Sequence, residues 1–467
     1  EPLIGEMGEA FPELKETRGT VEDTLRAEEE QFNRTLADGM RVLDKAVADL
    51  EGNVIPGEVV FQLYDTHGFP PDLTNDVARE RGLELDMDGF EVCMERQREQ
   101  SRNAGAFAND YSDRLQVDVV TDFSGYERLE DTAKVTALYS QGEPVDQLAS
   151  GQEGVVVLER TPFYAEGGGQ VGDTGELTGQ GVTFRVEDTQ PRQDAHLHLG
   201  RVEQGGIRVG DRLAAHVDMA RRYATMRNHS ATHLLHAALK QVLGDHVKQK
   251  GSLVAPDYLR FDFSHSRPLT VEQRREVETI VNRQILANTE VETRRMSLEE
   301  AQQDGAIALF GEKYASEVRV LAMGEEGFSK ELCGGTYVAR TGDIGLFKIT
   351  DESASAAGVR RLEAVTGEAA LQAVNSLEDR LVRAAEAARA NPDQVAERVE
   401  QMAERLREQD KELERLKQKL ASGAGGDLAA QAEDVDGVKL LATKVEGADG
   451  KTLRNTLDKL KDKLGPS

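Results

Sequence analysis

The stretch Asn228-His229-Ser230-Ala231-Thr232-His233-Leu234-Leu235-His236 decides how the middle of this chain is read. On a helix, residues four apart lie one turn apart on the same face, so His229 and His233 can share one metal ion. His236 follows three residues later, but Leu234 and Leu235 place it at the edge of a core. Far downstream stands Leu332-Cys333-Gly334-Gly335-Thr336. A cysteine followed by two glycines lets the backbone fold tightly around a thiolate ligand. Two histidines and one distant cysteine make a three-ligand set with an open position, the catalytic kind of zinc site. The competing reading of the histidine pair is structural, as part of the helix's packed face.

Working outward, residues 219–366 alternate helix and strand patterns. Helices are expected near 219–243 and 271–287, and strands at VRVLAM (318–323) and IGLFKI (344–349), which together describe an α+β domain. Upstream, 112–218 is rich in alternating valine with punctuating glycine, as in VTALY (135–139), GVVVLE (154–159) and VTFRVED (182–188). That pattern predicts a small β-barrel or sandwich. Its tight glycine loop, Glu166-Gly167-Gly168-Gly169-Gln170, is suited to hugging an RNA backbone or another loop. Residues 1–111 read as helices. Val21, Leu25, Phe32, Leu36, Met40, Leu43, Val47 and Leu50 form one stripe, and shorter helices follow near 57–66, 72–82 and 87–101. His67, alone beside a turn, reads as structural. In the tail, Val395, Val399, Met402, Leu406, Gln409, Leu413, Leu416 and Leu420 step as an a/d heptad seam. With an earlier helix at 368–389 this predicts an antiparallel helical hairpin or coiled coil over 367–424, closed within the chain. Residues 425–467, restarting as strand then helix, read as a domain cut short.

Composition sets the boundaries of function. The chain has 467 residues, with 57 basic and 85 acidic side chains and a net charge of −28. So acidic a surface argues against indiscriminate nucleic-acid binding. The charge is uneven, however. Residues 1–110 carry 11 basic and 26 acidic groups, whereas 216–365 carry 20 and 21. A local basic face around Arg221, Arg222, Arg227, Lys248, Lys250, Arg360 and Arg361 is therefore compatible with phosphates. No apolar run is long enough for a membrane-spanning helix, and no basic-then-apolar leader opens the chain. Two cysteines, Cys93 and Cys333, exclude a disulfide framework and suit a reducing cytoplasm. A start at Glu1 rather than Met leads to the expectation of a fragment.

These motifs carry a resemblance. NHSATHLLHAAL (228–239), VKQKGSLV (247–254), LRFDFSH (259–265), ALFGEKY (308–314), ELCGGT (331–336), RTGDIGLFKI (340–349) and AGVRRLEAVTGE (357–368) are similar to the alanyl-tRNA synthetase family, in about its C-terminal half. LYDTHGFPPDLT (63–74) and TPFYAEGGGQVGDTG (161–175) fit as well, so the resemblance spans essentially the whole chain. It implies a helical tRNA-recognition segment (1–111), a β-barrel (112–218), a zinc-type editing domain (219–366), the hairpin, and the start of a C-terminal domain. The class II core that activates alanine with ATP lies before Glu1 in the family.

The resemblance further implies tRNA(Ala) as partner, hydrolysis of seryl- or glycyl-tRNA(Ala) as the reaction, and zinc as the cofactor. His229, His233 and Cys333 are implied as metal ligands. Gln249 is implied to line the editing pocket, with Thr232 or Thr336 offering hydroxyls. Self-association through the C-terminal region is expected of the intact protein. One position departs from the family. Tyr337 stands where the family has a second histidine ligand, C-G-G-T-H. A phenol has an ordinary pKa of about 10 and is a weak zinc donor at neutral pH. The fourth ligand is thus lost, replaced by a water, or weakly supplied by the Tyr337 oxygen. Two other readings stay open: a free-standing editing hydrolase, and a non-catalytic tRNA-binding fragment with a defective metal site.

Overall fold

Valine-rich alternation between residues 130 and 217 becomes six strands that close on themselves. In the computed structural model, Glu130–Ser140, Glu153–Leu158, Ala195–Gln204, Val182–Arg192, Gly175–Gly179 and Arg212–Val217 pair in that order. Every pairing is antiparallel, and Arg212–Val217 returns to pair with Glu130–Ser140. Closure removes the free edges that an open sheet exposes. The inward set, including Val135, Leu158, Phe163, Phe184 and Leu213, fills the interior. Of the two β architectures that the pattern allowed, the barrel is the one that forms.

The structure describes residues 2–105 except 17, 49, 51 and 67; 115–307 except 116 and 118; 317–429 except 357; 432–442 except 436 and 437; and residues 454, 457, 458, 460 and 461. His67, the ALFGEKY stretch and most of the expected strand and helix over 436–464 lie outside these residues. The chain divides into two units, 1–373 and 374–467.

Ahead of the barrel, the helices fall close to the expected places: Arg18–Ala48, Gly57–Asp65, Pro71–Glu80 and Met87–Gly105. Only the C-terminal half of the first helix's stripe is used. Leu36, Met40, Leu43 and Val47 pack with Val60, Leu63 and Phe69, while Val21, Leu25 and Phe32 stay exposed.

After the barrel, its last strand runs straight into the long helix Met219–Leu243. The Asp218 side chain caps this helix by accepting the Arg221 N–H at 3.1 Å. The helix lies with Val271–Ala287 over a four-stranded antiparallel sheet ordered Gln249–Val254, Leu259–Ser264, Val359–Thr366, Phe347–Ala356. Their shared core includes Leu234, Leu235, Phe261, Val277, Val281, Phe347 and Leu362. A second, three-stranded sheet, Glu292–Ser297, Glu317–Met323 and Ser329–Leu332, carries the cysteine loop at its last strand's end.

Barrel and α+β region are locked together by Arg222, which is 1% exposed. Its Nε donates to Asp173 Oδ1 and Oδ2 at 3.0 and 2.9 Å. Its terminal nitrogens donate to the carbonyls of Gly125 (2.9 Å) and Pro162 (2.8 Å). The glycine loop adds a second join. Val254 N–H donates to Gly169 O at 2.7 Å, and Val171 N–H to Val254 O at 3.1 Å. At Gly169, φ is +86° and a Cβ would come 2.5 Å from Ser252 O, so this crossing requires glycine.

The tail differs from expectation. Helices Gly367–Ala388 and Val395–Ala429 both form, joined through Arg389 at φ +53° and a short turn at Pro392–Gln394. Among the described residues, the heptad seam is left uncovered. Val399, Met402, Leu406, Leu413 and Leu416 are 42–59% exposed, and Val374, Leu377 and Leu381 of the earlier helix are open too. Among the described residues of these two helices, the buried ones include Ala370 near the first helix's start and Ala385 and Ala388 at the connection. The left-handed residue and the following turn lead one helix into the next without setting the two apolar stripes against each other.

Candidate metal centre

Thirteen residues of helix Met219–Leu243 are buried, among them all three histidines of the quoted stretch. The His229 and His233 rings stack nearly parallel, 9° apart with centroids 5.2 Å apart, as one-turn spacing dictates. The Cys333 loop closes on them from the end of strand Ser329–Leu332, placing Cys333 Sγ 3.4 Å from His229 Nε2. Gly335 makes this approach possible: a Cβ there would lie 2.1 Å from His229 Cε1. One donor atom from each of His229, His233 and Cys333 falls within a 4.8 Å span.

Each imidazole is oriented through its other nitrogen. His229 Nδ1–H donates to Gln170 Oε1 at 2.7 Å, and Gln170, fully buried, comes from the barrel's glycine loop. The same oxygen accepts the Thr336 N–H at 3.0 Å, while Gln170 Nε2 donates to Thr336 Oγ1 at 2.9 Å. His233 Nδ1–H donates to Glu331 Oε2 at 2.6 Å, and His236 Nδ1–H to Glu331 Oε1 at 2.7 Å. Carboxylate-to-histidine contacts of this kind fix the tautomer of metal-ligating histidines.

The donor set fits zinc. His233 Nε2 is buried without a hydrogen-bond partner among the described residues, a cost that a bound metal would remove. Zn–S and Zn–N bonds of about 2.3 and 2.0–2.1 Å put tetrahedral donors roughly 3.5 Å apart, close to the spacing seen for Cys333 and His229. Charge agrees as well. Burial works against ionisation of Cys333, yet His229 and His233 hold its thiol well below the ordinary range, toward the thiolate that binds metal. In the metal-free site burial disfavours a charged His233, but Glu331 and Cys333 push it up to about 10, so a metal would have to displace its Nε2 proton. Glu331 is held down at about 2, because His233 and His236 outweigh its burial.

Tyr337 sits beside the set, its ring centroid 5.0 Å from that of His229 and 5.6 Å from that of His233. Its oxygen accepts the Gly335 N–H at 3.1 Å. Burial, reinforced by the Cys333 thiolate, pushes the phenol well above its ordinary range, so it is protonated at neutral pH. Thr232 lies on the same helix, where its hydroxyl donates to Asn228 O at 2.8 Å. Gln249 stands at the start of strand Gln249–Val254, paired with Phe263, and no described hydrogen bond joins it to the three donors.

The sequence reading missed Gln170 and Glu331. The signal for Glu331 was adjacency to Cys333 in ELCGGT, and its strand pattern puts it on the buried side. Changing Glu331 to glutamine removes the second acceptor oxygen, so one histidine loses its brace. The expected result is zinc affinity about 10–100-fold weaker, read by competition with a chromophoric chelator, with the fold retained.

The family model described as "tRNA synthetases class II (A)" matches residues 1–221. The model "Threonyl and Alanyl tRNA synthetase second additional domain" matches 318–363, the stretch that holds Glu331 and Cys333. The chain is similar throughout to proteins named alanine–tRNA ligase. It is 56% identical to that of Halorhodospira halophila over 465 residues, covering 100% of this chain and 53% of the relative. It is 52% identical to that of Saccharophagus degradans with the same coverage, and 53% identical to that of Pseudomonas fluorescens over 99% of this chain and 53% of the relative. The chain thus spans about half the length of the curated relatives it matches.

Proposed function

We propose that this chain, which belongs to the alanyl-tRNA synthetase family, is an editing hydrolase that cleaves the ester of seryl- or glycyl-tRNA(Ala) at a zinc site. The observation that carries the reading is the three-donor group: two stacked imidazoles and a thiolate, their Nδ1 atoms tied off and His233 Nε2 unpartnered. His229, His233 and Cys333 would hold the metal. Bound zinc would supply Lewis-acid chemistry, polarising a water or a carbonyl, or gripping the substrate's amine or hydroxyl.

The chain's own residues do the rest. Gln170 and Glu331 fix which nitrogen each histidine presents. Thr336 Oγ1 accepts from Gln170, which leaves its own proton free for a substrate oxygen. Thr232 spends its proton on Asn228 O and keeps only acceptor capacity. Tyr337, protonated, walls the site and supports a three-ligand centre with an open position rather than a fourth anionic ligand. Gln249 is retained as a pocket residue on the strength of the resemblance.

A second site answers an energetic need. A pocket built for alanine's methyl rejects an added hydroxyl only about a hundredfold. A site that hydrogen-bonds the hydroxyl can spare the analogue lacking it by roughly 10⁴–10⁵. The test is hydrolysis of seryl- against alanyl-tRNA(Ala) by the whole chain: at least a hundredfold preference for seryl is expected, and equal rates would overturn the reading. The buried phenol at 337 is also what favours the rival, a non-catalytic tRNA-binding fragment, and no hydrolysis by zinc-loaded chain would establish it. Ligation of alanine, the activity in the relatives' names, is not assigned to this chain on this reading, although the class II synthetase model matches residues 1–221. Alanine-dependent pyrophosphate exchange by the chain would contradict the reading.

A further inference from the structure

At the surface of the α+β region, two histidines that the metal centre does not use face each other. His246 stands on the turn after helix Met219–Leu243, and His265 lies just past the end of strand Leu259–Ser264. His246 Nε2 and His265 Nδ1 are 2.9 Å apart, and the rings stack with centroids 5.2 Å apart at 26°. The stack continues inward to Phe263, 6.2 Å from His265, and then to Phe261. The backbone holds both rings in place. Ser264 Oγ accepts the Lys248 N–H at 2.9 Å and donates to His246 O at 2.6 Å, while Ser264 N–H donates to Lys248 O at 3.0 Å. Val247, buried, anchors the turn, and the His265 N–H donates to Gly358 O at 3.0 Å. His246 is exposed and His265 half-buried, so solvent reaches the place where the two nitrogens meet.

A separation of 2.9 Å suits a hydrogen bond between neutral rings, and it is also the bite of two donors on one ion. Two nitrogens about 2.0–2.1 Å from an ion at a right angle lie roughly 2.9 Å apart, against about 3.4 Å at the tetrahedral angle that zinc prefers. We propose that His246 and His265 form a second metal site, which takes a divalent transition ion with right-angled coordination, copper(II) most tightly by the Irving–Williams order. Waters would complete the shell, because among the described residues no third histidine, cysteine or carboxylate donor closes on the pair. Burial, then the adjacent His246 and Arg360, keep His265 below the ordinary histidine range, so its ring is neutral and able to bind metal at neutral pH. Arg360 is itself paired with Glu352 at 2.9 Å, and Arg267 and Lys248 are exposed, so the positive charge opposing the ion is offset or screened. Once bound, the ion would clip the turn after the helix that carries His229 and His233 to the adjoining sheet. The pair lies outside the three zinc donors, so the site stands or falls separately from hydrolysis.

The experiment uses the whole chain carrying one zinc, copper(II) chloride as probe, and the variants His246→Gln and His265→Gln. Circular dichroism and retained zinc verify that each variant is intact, and the exposed position of His246 guards against misfolding of the other variant. Copper is added up to one equivalent and followed by electron paramagnetic resonance, with zinc per chain measured after gel filtration. One copper should bind with the zinc retained, giving a tetragonal spectrum with coupling from two imidazole nitrogens. Each variant should bind copper more than about tenfold more weakly, since losing a ligand costs at least what losing an outer-sphere partner does. Nickel(II) should compete for the same site with lower affinity than copper. No saturable copper binding, copper that displaces the zinc one for one, or copper bound as tightly by either intact variant as by the unaltered chain would overturn the site.

Discussion

Changing Cys333 to alanine should empty the zinc site and reduce hydrolysis of seryl-tRNA(Ala) by more than the roughly 10–100-fold that loss of an outer-sphere partner costs. Of the three donors, Cys333 alone brings formal negative charge, and it lies 3.4 Å from His229 Nε2 in a site closed over by Tyr337 and Gly335. Without it, only the two imidazoles remain, too few for the three protein ligands of a catalytic zinc site. The change removes a single sulfur, so the helices and sheets should survive. Zinc per chain, measured by atomic absorption after gel filtration, should fall from near one to near zero. An alanine variant that keeps one zinc would show that the metal is held elsewhere.

The second large effect is structural. Arg222→Met should destabilise the unit comprising residues 1–373 by about 3–5 kcal/mol, because it leaves Asp173 buried and uncompensated. The Gly125 and Pro162 carbonyls would lose their donors too. Among the described residues, the Asp173 carboxylate would then keep only the Tyr164 N–H, at 2.7 Å. The double change Arg222→Met, Asp173→Leu should recover a substantial part, since replacing both members of a buried pair by apolar groups is often neutral. Urea unfolding followed by circular dichroism reads both. A single variant that loses under about 1 kcal/mol would show that Arg222 is not the lock between barrel and helix.

Much of this architecture is legible from pattern alone because pattern records local rules. His229 and His233 declare themselves through helical spacing, and Cys333 through the glycines that let its loop approach. The barrel strands are visible as alternating valine, but closure is not. It depends on Arg212–Val217 finding Glu130–Ser140 some 80 residues away, which no local period encodes. Gln170 was hidden for a similar reason: it reaches His229 from another domain, inside a loop whose glycines explain only the backbone crossing at Gly169. The heptad seam misled in the opposite direction. The steps of three and four from Val395 correctly give a helix with one apolar stripe, yet a stripe does not name its partner. The connection through Arg389 and Pro392 leaves the stripe open along Val399 to Leu416.

The central claim is that the His229–His233–Cys333 group is a zinc centre that hydrolyses mischarged tRNA. Its most direct test is single-turnover deacylation of seryl-tRNA(Ala) by the whole chain, first stripped with a chelator and then reloaded with one equivalent of zinc. The stripped chain should be inactive. Activity should return in proportion to zinc bound, and saturate at one per chain. Equal hydrolysis by the stripped and reloaded chains, or none by the reloaded chain, would contradict the account.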